Sequence, residues 1–364
     1  MNHFIYRRLP FYALMLLFAS SVNAQKRNVR PTNIILMIGD GMGVAQVYSG
    51  YTANKGDLNL FRCNVTGFSK TYSASDYNTD SGAGGTAIAT GRKTYNGAIG
   101  VDHDTVFAKT ILEYAEEKGL ATGLVSTSAI THATPASFIA HQVSRDNYEG
   151  IALDFLKTDI DVFIGGGIDH FYLRKDKRDL LQELRQKGYQ VVFSMDSIKG
   201  IKQGKLAGLT AKEHNPSVLQ GRGDMLPGST QTALNILSDN KKGFFLMVEG
   251  SQIDWGGHAN NGNMVAAEMI DFDRAIGKAL DFAKKDGHTL VIITADHETG
   301  GMSLVGGDYQ LGTVVAKFNT TDHTGVMVPV FAFGPGAELF QGVQENTDLF
   351  TKMMKLFRFP HIAP

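Results

Sequence analysis

Short runs of apolar and β-branched residues punctuate the chain at 33–38, 121–126, 160–164, 189–193, 244–248, 289–293 and 328–333. Most are continuous rather than alternating, the pattern of strands buried on both faces. Between them, residues 106–118, 177–187, 230–237 and 265–285 carry apolar positions at helical spacing. This alternation predicts an α/β fold, a doubly wound, mostly parallel sheet with helices on both faces. The stretch 195–228, rich in glycine and lysine, reads as a surface excursion. No internal repeat, low-complexity tract or Pro/Ser-rich linker divides the rest, so residues 25–364 are expected to form a single domain.

The N-terminus has a different pattern. Arg7 and Arg8 precede the apolar run from Phe11 to Phe18, and Val22-Asn23-Ala24 is a small-x-small cleavage pattern. Residues 1–24 therefore read as a signal peptide, removed on export to the periplasm or the medium. The run is too short to span a bilayer, so no membrane anchor is expected after cleavage. Cys63 is the single cysteine, which excludes an internal disulfide. The net charge of -1 gives no basic field to attract nucleic acid.

In open α/β sheets, chemistry gathers beyond the carboxyl ends of the strands. There the sequence places Gly39-Asp40-Gly41, then Thr127 to Pro135 with His132 and Thr134, then Glu249 to His258 with Asp254, and lastly Asp296-His297. Acids and histidines delivered by four separate strands point to a polynuclear metal site. Oxygen and nitrogen ligands suit zinc, with no cysteine needed.

Each fragment also has a plainer reading. Asp40 could cap the helix that follows it. The segment "MIGDGMG" lacks the G-x-G-x-x-G spacing and the Gly-Lys-Ser/Thr of nucleotide loops. Ser81, in "NTDSGAGGTA", could be an N-cap; it is not a G-x-S-x-G elbow, since Thr79 occupies the first glycine position. As a nucleophile it needs activation, which a metal would supply. His141 reads as a packed or surface histidine. Arg145 could be a solvated charge, or a planar fork for a phosphate dianion.

Taken in order, "MIGDGMG", "TDSGAGGTA", "HATPASFIAHQVSR", "VEGSQIDWGGH", "TADHETGG" and "DHTG" resemble the alkaline phosphatase family. The resemblance implies a metal-dependent phosphomonoesterase with two zinc ions and one magnesium ion, usually a homodimer, acting on small phosphate monoesters over a broad range. It implies Ser81 as the nucleophile that becomes phosphoserine, and Arg145 as the phosphate grip. One zinc would be held by Asp40, Asp296 and His297, the other by Asp254, His258 and His323. Asp40, Thr134 and Glu249 would hold the magnesium. His132 and Trp255 stand where an aspartate and a lysine are familiar, so the third site is expected to favour a softer ion. The short chain between Gly301 and His323 implies no large lid. The C/S-x-P-x-R setting of sulfatases is absent, and Thr134, Glu249 and Arg145 argue against a diesterase. An exported binder without turnover would have no need of the Ser81 hydroxyl.

Overall fold

The structure, a computed structural model, describes residues 30–360. The expected signal peptide lies outside them. A ten-stranded sheet runs in the order β14-β2-β13-β8-β1-β7-β3-β4-β6-β5. Its strands are β1 (Asn33–Gly39), β2 (Val65–Lys70), β3 (Ala121–Ala129), β4 (Val162–Gly166), β5 (Gln190–Val192), β6 (Leu206–Leu209), β7 (Phe244–Gly250), β8 (Thr289–Thr294), β13 (Val328–Phe333) and β14 (Gly342–Glu345). β13 runs antiparallel to both β2 and β8, and the other pairs are parallel. Four short strands stand apart: the pair β9 (Glu298–Thr299) and β12 (His323–Thr324), and the hairpin of β10 (Ser303–Asp308) and β11 (Thr313–Lys317).

The continuous apolar runs are explained by two cores. In β1, Ile34, Leu36 and Ile38 face one core, while Ile35 and Met37 face the other. Helices 81–90, 111–117, 180–186 and 346–357 cover the first face; helices 44–53, 225–237 and 262–286 cover the second. The predicted helices exist with shifted ends. The first begins only at Ile111, where Thr110 and Glu113 form a capping box. The third begins early, at Met225, because Pro227 is tolerated in a first turn. Among the described residues, no helix is long and apolar enough to cross a membrane.

The reading of 195–228 as a surface excursion needs correction. It contains β6, fully buried between β4 and β5, and Arg222, buried between Glu268 and Asp271. The four-residue strand LAGL is too short and glycine-interrupted to give a run of its own. The segment 301–323 is the β10–β11 hairpin rather than a large insertion.

Candidate active site and metal centre

Four adjacent parallel strands, β8-β1-β7-β3, end at one edge of the sheet. Their register aligns Ile38 with Glu249 and with Thr294, and Ser126 with Glu249. The residues that leave these tips must therefore meet. Asp40 follows β1, Asp296 and His297 follow β8, and Glu249 is the last residue but one of β7. β3 departs from regular pairing with β4 beyond Val125 and leads to His132 and Thr134.

Gly41 makes the convergence sterically possible. Its φ is +72°, and a Cβ there would lie 2.7 Å from the Cα of Asp254. Its N–H donates to Asp296 Oδ1 at 3.3 Å. Ser81 opens helix 81–90, capped by Asp80, whose carboxylate accepts from the Ala83 N–H. Small residues let this helix lie close: a Cβ on Gly84 would sit 3.1 Å from the Asp296 side chain. Ser81 Oγ ends 3.3 Å from His297 Nε2.

Three groups of ligand atoms form. In one, His297 Nε2 is 3.4 Å from Asp40 Oδ1 and 3.5 Å from Asp296 Oδ2. In the second, His258 Nε2 lies 3.3 Å from Asp254 Oδ1 and 3.1 Å from His323 Nε2. The third joins Asp40 and Glu249 with His132. Thr134 Oγ1 donates to Asp40 Oδ2 at 3.4 Å from beside it. His132, read from the sequence only as a neighbour of this group, offers a ring nitrogen to it directly. The Trp255 ring stands 6.2 Å from the His132 ring, nearly perpendicular.

The electrostatics favour cations. Burial, reinforced by the charges of Asp296, Asp254 and Glu249, drives the Asp40 carboxyl well above the carboxylate range. Burial pushes Glu249 up to about 7 and, with the Asp254 charge, Asp296 up to about 6. Asp254 goes the other way: burial opposes its ionisation, but a hydrogen bond from His258 and the charges of three histidines hold it low. Burial with the charges of Arg145 and His214 brings His132 down to about 3, leaving it neutral. Buried polar atoms Asp40 Oδ1, Asp296 Oδ2, Glu249 Oε1 and His132 Nδ1 have no hydrogen-bond partner. A cluster of buried acids with orphaned oxygens costs several kcal/mol per charge unless cations neutralise it.

The histidines point the same way. His258 Nδ1 lies 2.6 Å from the Thr321 carbonyl, and His323 Nδ1 lies 2.8 Å from the Thr79 carbonyl. Each ring thus donates through Nδ1, which leaves Nε2 as the atom that would face a cation. Backbone carbonyls commonly fix metal-binding imidazoles in this tautomer. The donor set fits divalent ions.

Sequence reasoning missed the residues that act on others. Asp80 Oδ2 holds Arg145 Nη1 at 2.7 Å, which fixes the guanidinium against the residue that caps the helix opening with Ser81. Ser126 and Ser251 donate to Glu249 Oε2 at 2.5 and 2.7 Å. Thr299 Oγ1 donates to Asp254 Oδ1. Asp80 had a readable signal, as an N-cap beside the serine; the other three had none. His141 is packed as expected, with Nδ1 at 2.5 Å from the Gly100 carbonyl.

Comparison with known proteins agrees with this arrangement. A family model described as alkaline phosphatase matches residues 31–318 and 313–359. Alkaline phosphatase 4 of Bacillus subtilis is 38% identical, over 93% of this chain and 91% of that protein. Among solved structures, the alkaline phosphatase of the Antarctic bacterium TAB5 superposes with a TM-score of 0.86 at 42% identity, over 91% of this chain and 99% of its own. A TAB5 variant with a histidine replaced by aspartate, described with Mg bound, gives the same TM-score at 43% identity, over the same shares. The match runs the length of the described chain, and this protein belongs to the alkaline phosphatase family: it is a phosphatase that uses metal ions.

Proposed function

We propose that the protein is an exported phosphomonoesterase that splits phosphate monoesters through a phosphoserine on Ser81, with two zinc ions and one magnesium ion as cofactors. The observation that carries this reading is the place of Ser81 Oγ: at a helix N-terminus, 3.3 Å from His297 Nε2, which itself lies 3.4 Å from Asp40 and 3.5 Å from Asp296, and next in sequence to Asp80, whose carboxylate holds Arg145. Asp40, Asp296 and His297 would hold one zinc, and Asp254, His258 and His323 the other. Asp40, Glu249 and Thr134, with His132 beside them, would hold magnesium. Such ions, when bound, lower the pKa of oxygen ligands and stabilise the charge that builds on entering and leaving oxygens.

The chain's own groups do the rest. Ser81 Oγ forms a bond to phosphorus as the ester oxygen departs with its carbon group, which leaves as the alcohol. Water then cleaves the phosphoserine, restoring the hydroxyl and releasing inorganic phosphate. Arg145, held from behind by Asp80, presents its remaining N–H donors to the non-bridging oxygens. The N–H groups of the first helical turn add a partial positive charge facing the same anion.

Two further points belong to this reading. Residues 1–24 would be removed during export. The mature chain would pair as a homodimer, for which the face carrying exposed Val44, Tyr48, Val326 and Met327 offers apolar surface. With Met302 and Leu304 they line a groove of about 730 Å³. The test is hydrolysis of p-nitrophenyl phosphate, its bis-ester and its sulfate, with and without chelator, beside Ser81→Ala. Monoester preference lost on chelation and in Ser81→Ala supports the reading. Equal activity in Ser81→Ala excludes the phosphoserine.

A further inference from the structure

Glu298 follows His297 directly, yet its side chain turns away from the metal centre. The pairing of β9 with β12 sets His323 opposite Thr299 and Thr324 opposite Glu298. Side chains alternate along a strand, so the two pairs lie on opposite faces. On the first face, Thr299 Oγ1 donates to Asp254 and His323 Nε2 lies 3.5 Å from Asp254 Oδ1. On the second, the Glu298 carboxylate is buried and accepts from four donors. Gln46 Nε2 at 2.6 Å and the Met302 N–H at 3.0 Å reach Oε1. The Gly301 N–H at 3.2 Å and the Thr324 hydroxyl reach Oε2.

These donors come from three places: helix 44–53, which follows Asp40; the turn leaving β9; and β12, which carries His323. A two-stranded pair is marginally stable alone, and this one is two residues long on each side. It nevertheless has to keep the His323 ring stacked on the His297 ring, with centroids 3.6 Å apart. We propose that Glu298 is a positioning residue for the metal centre: by tying β12 and helix 44–53 to β9 from behind, it fixes His323 against His297 and so sets the zinc affinity of the Asp254–His258–His323 group. The proposal rests on the zinc reading above.

Glu298→Gln is a sharp probe because all four donors are neutral, so no ion pair is broken and the volume is kept. A carboxylate offers acceptors on both oxygens; an amide offers one oxygen and one NH2. If the NH2 replaces Oε2, it opposes the Gly301 N–H. If it replaces Oε1, it opposes the Met302 N–H. Gln46 cannot relieve this by turning over, since its Nε2 also donates to the Thr299 carbonyl at 2.9 Å. Thr324→Val removes the tie to β12 alone, and Thr324→Ser keeps it.

The experiment measures zinc retained by the purified holoprotein against graded chelator, with kcat and KM at limiting and at saturating zinc. Glu298→Gln and Thr324→Val should release one of the two zinc ions at about 10–100-fold lower chelator strength, as loss of a group orienting a metal ligand typically costs. Their kcat should fall at limiting zinc and recover at saturating zinc, with Thr324→Ser retaining zinc like the wild type. Wild-type zinc retention in both variants, whether or not their unfolding temperature drops, overturns the positioning role. A wild-type protein that retains no zinc sinks the zinc reading, and the positioning role with it.

Discussion

Replacing Arg145 by alanine tests the phosphate grip most directly. The guanidinium lies 2.7 Å from Asp80 Oδ2 and 3.4 Å from His132 Nε2, with its side chain one-quarter exposed. Asp80 is itself fixed, since it caps helix 81–90. The fork is thus oriented before substrate arrives. Hydrogen bonds to charged groups contribute about 1.5–3 kcal/mol each, so two bonds to phosphate oxygens contribute roughly 3–6 kcal/mol to transition-state binding. At 1.36 kcal/mol per factor of ten, kcat/KM for p-nitrophenyl phosphate should fall by about 10²–10⁴. Inorganic phosphate should also inhibit more weakly, because the product makes the same contacts. Arg145→Lys should fall between the two, keeping the charge but losing the planar fork. The assay is steady-state hydrolysis at saturating zinc with phosphate as competing ligand. If kcat/KM and the phosphate inhibition constant of Arg145→Ala both stay within about threefold of wild type, Arg145 does not touch the phosphate.

Three other outcomes follow from the structure. His132→Asp should tighten magnesium binding to the zinc-loaded protein, because a carboxylate suits a hard cation better than an imidazole; identical calorimetric titrations of mutant and wild type would refute this. Burial raises the Glu116 carboxyl from its usual range to about 7. Its stabilising contribution is therefore complete below pH 4.5 and is lost as pH rises through 7, so Glu116→Gln should leave stability at pH 4 unchanged and add up to about 3 kcal/mol at pH 8.5. Denaturant midpoints that respond equally at both pH values would contradict the assignment. Arg222→Ala should destabilise by about 3–5 kcal/mol, since it strands Glu268 and Asp271, each about 2% exposed, without their shared cation; an unchanged urea midpoint would mean that the pocket refills without cost.

How much of this was legible in the sequence depended on what holds each part. The strands buried on both faces announced themselves, since a strand such as β7 (FFLMVEG) has to be apolar throughout. β2 did not, because one of its faces is exposed and Gly67 interrupts it. β6 was hidden by its length. In the site, the acids and histidines were readable because strand tips carry them in short motifs, and Ser81 because it opens a helix of small residues. Ser126 and Glu249 are 123 residues apart, and Thr299 and Asp254 are 45 apart. Serine and threonine are common at strand and helix ends, so nothing in either stretch marked these contacts. The carbonyls of Thr79 and Thr321, which orient His323 and His258, leave no trace in side-chain identity at all.

The same division separates two ways of placing a ligand. Asp40, Glu249, Asp296 and His297 leave adjacent strands whose register is fixed along most of their length by backbone hydrogen bonds. Moving any one of them would mean slipping a strand, which would turn both of its buried faces inside out. His258, His323 and Arg145 come from a short helix, a two-residue strand and a loop. Their places are set by individual contacts: two carbonyls, Asp80, and the Glu298 carboxylate with its donors. Each such contact can be altered singly without disturbing the sheet. Under the proposed function, zinc affinity in the second group and phosphate affinity at Arg145 would therefore be the properties that point substitutions tune. The position of Ser81 against His297, set by close helix packing on the strand tips, should be far less forgiving.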